Sequence, residues 1–232
     1  MRKNYVPNFL YCIDHSKLSE NTIHSRMNAV KFYFEQVLQR PKFFMEIPRP
    51  KKRNVLPKVL SQNDIREMFE VTKNPKHKLL LQLCYGMGLR VSELVNLKIS
   101  DIDSQRMQVL VNQGKGKKDR YVVLPESILV QMRDYFKEFK PKEYFFEGQK
   151  GDQYAARSAQ KVFKEAMRKA GINKKIGIHS LRHSYATHLI EQGTDIRFVQ
   201  ELLGHNNIKT TMSYTHLTDS RKRKIKSPLD TL

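Results

Sequence analysis

The chain has no tryptophan, only two cysteines and no long apolar run, and each absence excludes something. Cys12 and Cys84 are too few for a disulfide framework and stand at no metal-binding spacing. They read as reduced thiols of a cytoplasmic protein, with Cys84 packed in a core helix. The apolar stretch near the N-terminus, Phe9 to Ile13, ends at Asp14 and is too short for a signal peptide. The longest such stretch, Leu79 to Leu89, is broken by Gln82 and two glycines, which argues against a membrane span. Acidic residues are scarce as well. Asp and Glu number 23 against 43 Lys and Arg, leaving a net charge of +20 and a pI near 9.9. Such an excess implies a polyanionic partner or a strongly acidic surface, and nucleic acid is the commonest. Charge alone leaves a ribosome-like or merely solubilising basic surface open.

With 232 residues, 39% of them hydrophobic, the chain can build one good core, or one core and a small satellite. Apolar residues recur at helical spacing from Ser19 onward (Ile23, Met27, Val30, Phe34, Val37, Leu38) until Pro41 closes the pattern. Pro41, Pro48, Pro50 and Pro57, with Lys51-Lys52-Arg53 among them, read as an extended linker. The main domain opens at Ser61-Gln-Asn-Asp64, a capping-box-like helix start. A second apolar helix is expected over about 76–86 and a short one from Arg90. Between 101 and 124 the period changes: 107–111 and 120–124 are β-branched runs joined by a turn at Gly114-Lys-Gly116. Helices are predicted again at 126–139, 156–170, 179–191, 195–203 and 207–215, with Gly171, Gly193 and Gly204 where C-terminal caps belong. The expected fold is therefore mainly α with a small antiparallel β-sheet (α+β). The expected organisation is a partial helical region over 1–40, a Pro/basic linker over 41–60, a catalytic domain over 61–220 and a basic tail over 221–232.

Six side chains spread along that domain carry the chemistry. Arg90 lies in Gly-Leu-Arg-Val-Ser-Glu-Leu, Lys115 in Gly-Lys-Gly-Lys-Lys-Asp-Arg, and His179 and Arg182 in His-Ser-Leu-Arg-His. His205 follows Leu-Leu-Gly, and Tyr214 stands in Met-Ser-Tyr-Thr-His. Two guanidinium forks, an ammonium, two imidazoles and a phenol are what an attack on a phosphodiester without a metal requires. A free phenol titrates near pH 10, so Tyr214 needs a base, and an imidazole is the natural one. Two arginines plus an imidazole can bracket both non-bridging oxygens of a pentavalent transition state. The departing deoxyribose oxygen needs an acid, for which Lys115 on a flexible hairpin is suited. The basic clusters Lys51, Lys52, Arg53 and Lys117, Lys118, Arg120 are candidates for DNA contact.

Taken singly, these phrases have plainer readings. Gly-Lys-Gly alone is a hairpin turn with solvated lysines. His179 and His183 lie four apart like a zinc pair, but Ser180 stands where the metalloprotease motif needs Glu. Asp101 and Asp103 fit a strand-edge turn better than a metal site, and Glu93 is better placed to steady its helix or Arg90 than to react. Residues 195–214 alone would suit the helix-turn-helix of a DNA-binding regulator.

The ordered set of five phrases, with connecting text such as Arg182-His-Ser-Tyr-Ala-Thr-His188 and Thr210-Thr-Met-Ser-Tyr214, resembles the tyrosine recombinase or phage integrase family over about residues 58–220, with wording similar to Xer and integron integrases. The resemblance implies that Arg90 and Arg182 clamp the scissile phosphate and that Lys115 is the general acid for the 5′-hydroxyl. It implies His179 as base or proton shuttle for Tyr214, and His205 as a hydrogen-bond donor to a non-bridging oxygen. Tyr214 would form a 3′-phosphotyrosyl intermediate, and His183 and Tyr185 would be structural. It implies no cofactor, metal or ATP, double-stranded DNA as partner, and a homotetramer on DNA that is a monomer or weak oligomer when free. The expected function is site-specific recombination or integration, as in mobile genetic elements. Family members carry a longer N-terminal helical domain, of which 20–38 and Ile47-Pro-Arg-Pro-Lys51 resemble the end. The chain thus reads as N-terminally shortened, and a DNA-binding relic or regulator of recombination is the alternative. A type IB topoisomerase shares the chemistry and stands as a second alternative.

Overall fold

The computed structural model describes residues 18–39, 57–112, 119–149 and 151–215. Two units divide the chain, Met1–Val55 and Leu56–Leu232. In the first, helix α1 (Glu20–Phe32) starts at Ser19, whose hydroxyl accepts from the Thr22 amide, and runs on as a π-helical turn over Tyr33–Val37. This is the helix that the apolar spacing predicts; the expected linker, apart from residues 57–60, and the basic tail lie outside the described residues.

The second unit is built from helices α2 (Gln62–Val71), α3 (Pro75–Gly86) and α4 (Val91–Val95), then strands β1 (Ile102–Asp103), β2 (Gln108–Val111) and β3 (Arg120–Val123). Helices α5 (Glu126–Phe139), α6 (Ala156–Lys169), α7 (His179–Glu191), α8 (Ile196–Leu203) and α9 (Ile208–Thr215) follow. The capping box at α2 is complete: the Ser61 hydroxyl accepts from the Asp64 amide, and the Asp64 carboxylate accepts from the Ser61 amide at 2.8 Å. Helix α3 begins with Pro75 in its first turn, where no backbone donor is needed. Its Leu79, Leu80, Leu81, Leu83 and Cys84 are all buried, so it is apolar nearly all round. It therefore sits centrally, packed against α2, α4, α5, α6 and α7. Burial pushes the Cys84 thiol up to about 12, which keeps it inert.

The sheet is antiparallel in the order β1-β2-β3. Its register pairs Val109 with Val122 and Val111 with Arg120. Val109, Val111 and Val122 are buried, whereas Tyr121 and Val123 are exposed. The two-residue β1 is a strand that the sequence pattern did not predict. It forms because the Asp103 carboxylate accepts from the Gln105 and Arg106 amides, folding a turn that returns the chain beside it. Asp101 likewise accepts from the Lys98 amide and from Asn112, so both acids serve local structure. Ala186, Ile190, Val199, Leu203 and Tyr214 make a second apolar cluster joining α7, α8 and α9. No helix among the described residues is long and apolar enough to cross a membrane.

Candidate active site

Five of the six expected side chains, Arg90, His179, Arg182, His205 and Tyr214, lie in the second unit. Lys115 falls within residues 113–118, outside the described residues, as do Lys117, Lys118, Lys51, Lys52 and Arg53.

Arg90 is the residue that caps α4, and its amide donates to Glu93 Oε2 at 2.8 Å. Its guanidinium also donates to Glu93 Oε1. Just before it, Gly88 has φ +60, and an added Cβ would meet the Tyr185 ring at 2.5 Å. Only glycine fits between that ring and the chain. Arg182 comes from α7 and is 4% exposed. Its guanidinium donates to the Gly88 carbonyl at 2.6 Å and to the Leu203 carbonyl, and lies 3.6 Å from Glu93 Oε2. Burial, then the charge of Arg90, brings Arg182 down to about 10, so it stays cationic at neutral pH.

Glu93 holds the arginines together. The guanidinium of Arg120 donates to both its oxygens, at 2.9 and 2.8 Å, in the bidentate geometry that planar forks favour. Burial alone would raise the Glu93 carboxyl. The hydrogen bonds from Arg120 and the Arg90 amide, and the charges of Arg120 and Arg182, outweigh it and hold the group at about 2. Arg120, expected among the DNA-contacting residues, is instead found paired with this carboxylate. Its side chain is 9% exposed and points inward, because position 120 shares the buried strand face of Val122 and Leu124.

His205 follows the left-handed Gly204 that ends α8, and the Gln200 side chain donates to its carbonyl at 2.9 Å. Its Nδ1 lies 2.9 Å from the Thr211 hydroxyl. Burial and then the charges of Arg182, Arg90 and Arg120 lower this imidazole to about 4, so it is neutral at neutral pH. The Thr211 hydroxyl can donate to Nδ1, and in that tautomer the proton sits on Nε2, able to donate elsewhere.

Tyr214, on α9, is 2% exposed and stacks its ring parallel to His205 at 6.3 Å between centroids. Burial raises its phenol, opposed by the charges of Arg182 and Arg90. The imidazole on its hydroxyl is that of His183, with Nδ1 at 2.8 Å, and not that of His179. Burial, then the charges of His179 and Arg182, lowers His183, which favours the neutral form that can accept a proton. His179 starts α7 and is exposed; partial burial and the charges of Arg182 and Arg90 lower it too. Sequence reasoning set His183 aside as structural and gave no role to Thr211. The signal available for His183 was its position four residues from His179, on the same helix face.

Residues 58–221 match the phage integrase family. Tyrosine recombinase XerA of Pyrococcus horikoshii is 36% identical over 227 residues, covering 93% of this chain and 76% of that protein. A crystal structure of XerA recombinase aligns over 95% of this chain and 81% of that one, with 30% identity and a TM-score of 0.68. The XerH site-specific recombinase, in a pre-cleavage complex with its difH substrate, aligns over 92% of this chain and 66% of that one, with 25% identity and a TM-score of 0.75. The protein belongs to the phage integrase family of tyrosine recombinases.

Proposed function

We propose that this chain cuts and rejoins double-stranded DNA at specific sites through a covalent 3′-phosphotyrosyl intermediate, as a site-specific recombinase. The observation that carries this reading is the Tyr214 hydroxyl, buried beside His183 at 2.8 Å and under the charges of Arg182 and Arg90. In the forward step the Tyr214 oxygen bonds to phosphorus while the bond from phosphorus to the 5′-oxygen breaks. The phenolic proton passes to an imidazole. His183 holds that position, and His179, one turn away on the same helix, serves as shuttle. Arg90 and Arg182 take the two non-bridging oxygens, and the Nε2–H of neutral His205 donates to one of them. Lys115 gives a proton to the departing 5′-oxygen. The phosphotyrosine ester keeps the bond energy, so the reverse attack by a 5′-hydroxyl rejoins DNA without ATP.

The two guanidinium groups supply the positive charge that a metal supplies in other phosphoryl-transfer sites, so chelator should leave cleavage unchanged. On DNA the acting unit is a homotetramer, with a monomer or weak oligomer when free. A DNA duplex nicked just beyond the cleavage position lets the short fragment escape and traps protein on the 3′ side. The wild-type chain should accumulate that covalent species, and Tyr214→Phe should bind the duplex without becoming linked. Protein found on a labelled 5′ end, or trapping by Tyr214→Phe, would overturn the assignment. With Lys115 as acid, Lys115→Ala should be slow on ordinary DNA and recover with a 5′-phosphorothiolate, whose leaving group needs no proton; absence of recovery removes Lys115 from that role.

A further inference from the structure

Arg120 touches three of the segments that build the site. It stands at the start of β3, in register with Val111. Its two terminal nitrogens fork onto Glu93 of α4, the carboxylate that also holds Arg90 and lies 3.6 Å from Arg182. Its Nε donates to the Leu202 carbonyl at 2.8 Å, in the last turn of α8. Two residues further on is Gly204, where an added Cβ would lie 2.9 Å from the Arg120 Cδ and 3.2 Å from its NH1. The backbone before His205 thus rests directly on this side chain. Glycine at 204 is required both by its φ of +60 and by that contact. A phosphate contact would need the same fork that Glu93 already occupies.

We propose that Arg120 is a positioning residue: it ties the arginine clamp, through Glu93, to the turn that carries His205, and it makes no contact with DNA phosphate. Lysine cannot replace it, because one ammonium cannot span a carboxylate and a carbonyl on two different helices as a planar fork does. The electrostatics fit this role, since Arg120 is among the charges that keep His205 neutral.

This inference rests on the cleavage reading above, so its test separates binding, chemistry and the tie itself. Affinity for a duplex carrying the cleavage site would be measured across a salt series, and covalent trapping of bound, nicked duplex in a single turnover, for wild type, Arg120→Met and Arg120→Lys. Arg120→Met should trap about 10²-fold more slowly, the cost of a misplaced group in a preorganised site. Arg120→Lys should remain slowed by at least about 10-fold, with affinity and salt slope unchanged in both. If Arg120→Met does not fold, Arg120→Lys decides. A salt slope shallower by about 0.9, the loss of one phosphate contact, with unchanged trapping of bound DNA would overturn the proposal. So would normal rates in both variants. Amide hydrogen exchange in the DNA-free protein reads the tie without chemistry. The Gly204 and His205 amides, bonded to Glu201 and Gln200, should exchange faster in Arg120→Lys while those of α3 do not change. Unchanged exchange at that turn would overturn the proposal even if the wild-type chain never traps DNA, an outcome that by itself would count only against the cleavage reading.

Discussion

The two halves of the site are held in opposite ways. The arginine half is fixed by charge: Glu93 accepts from Arg90 and from both ends of the Arg120 fork, while Arg182 is pinned by the Gly88 and Leu203 carbonyls. Arg120 and Arg182 each have anchors on more than one segment, and Arg90 is held by Glu93 within its own helix. The nucleophile half is held by packing and by neutral hydrogen bonds, that of the Tyr214 hydroxyl with His183 and that of the Thr211 hydroxyl with His205. A neutral bond of this kind contributes about 1 kcal/mol. The difference teaches that the clamp is in place before a phosphate arrives, whereas the phenol can turn from its imidazole to an incoming phosphorus at small cost. Preorganised charge is what stabilises a phosphoryl-transfer transition state, and a nucleophile must move along the reaction path.

The sharpest way to break that comparison is Glu93→Gln. It leaves Arg90, Arg120 and Arg182 without their shared counter-charge and should cost about 3–5 kcal/mol, the usual penalty for removing one partner of a buried ion pair. Urea unfolding reads it directly, and a cost below about 1 kcal/mol would show that the clamp is not held by this carboxylate. The next comparison is between the two imidazoles of α7. His183→Ala should slow single-turnover trapping by about 10²–10⁴-fold, the range for a general base, and His179→Ala by less. The reverse order would return the base role to His179.

How far this was legible in the sequence depends on which interactions are local. The helix starts at Ser61 and Arg90, the two longer strands and the glycine caps follow from neighbouring residues, and they appear where the pattern puts them. The ordered phrases also brought Arg90, His179, Arg182, His205 and Tyr214 into one unit. Long-range choices were not legible. The partner of Arg120 lies 27 residues back in the chain, and a basic cluster suggests solvent and DNA more readily than a buried carboxylate. The period-2 pattern of 120, 122 and 124 held the correct answer, because Val122 and Leu124 are core residues. Which imidazole meets the phenol depends on how α9 lies against α7, a contact across 31 residues that no local spacing fixes. The strand β1 depends on a side-chain turn at Asp103 rather than on any strand-forming run.

A smaller effect sharpens the same comparison from the nucleophile side. Tyr214→Phe keeps the ring in its apolar cluster and removes only the hydroxyl, so unfolding free energy should change by no more than about 1 kcal/mol. A loss comparable with that of Glu93→Gln would mean that the phenol is a structural anchor, and the contrast between the halves would fail.

The smallest expected effect is in pH. His205 is lowered from an ordinary value of 6.5 to about 4, and His183 and His179 are lowered as well. Between pH 6.5 and 4 the unfolded chain therefore binds protons at these imidazoles that the folded chain refuses. Stability must rise with pH across that window and fall as the solution is acidified through it. Glu93 acts in a separate, lower window: its stabilisation is complete above 4.5 and disappears as pH falls towards about 2. Unfolding measured at half-unit steps should thus show a slope between pH 6.5 and 4 that is shallower in His205→Asn, by less than one proton, while the steeper acid loss below 4.5 persists. If His205→Asn leaves the upper slope unchanged, this imidazole is not held neutral by the arginines, and the electrostatic link between the two halves of the site is absent.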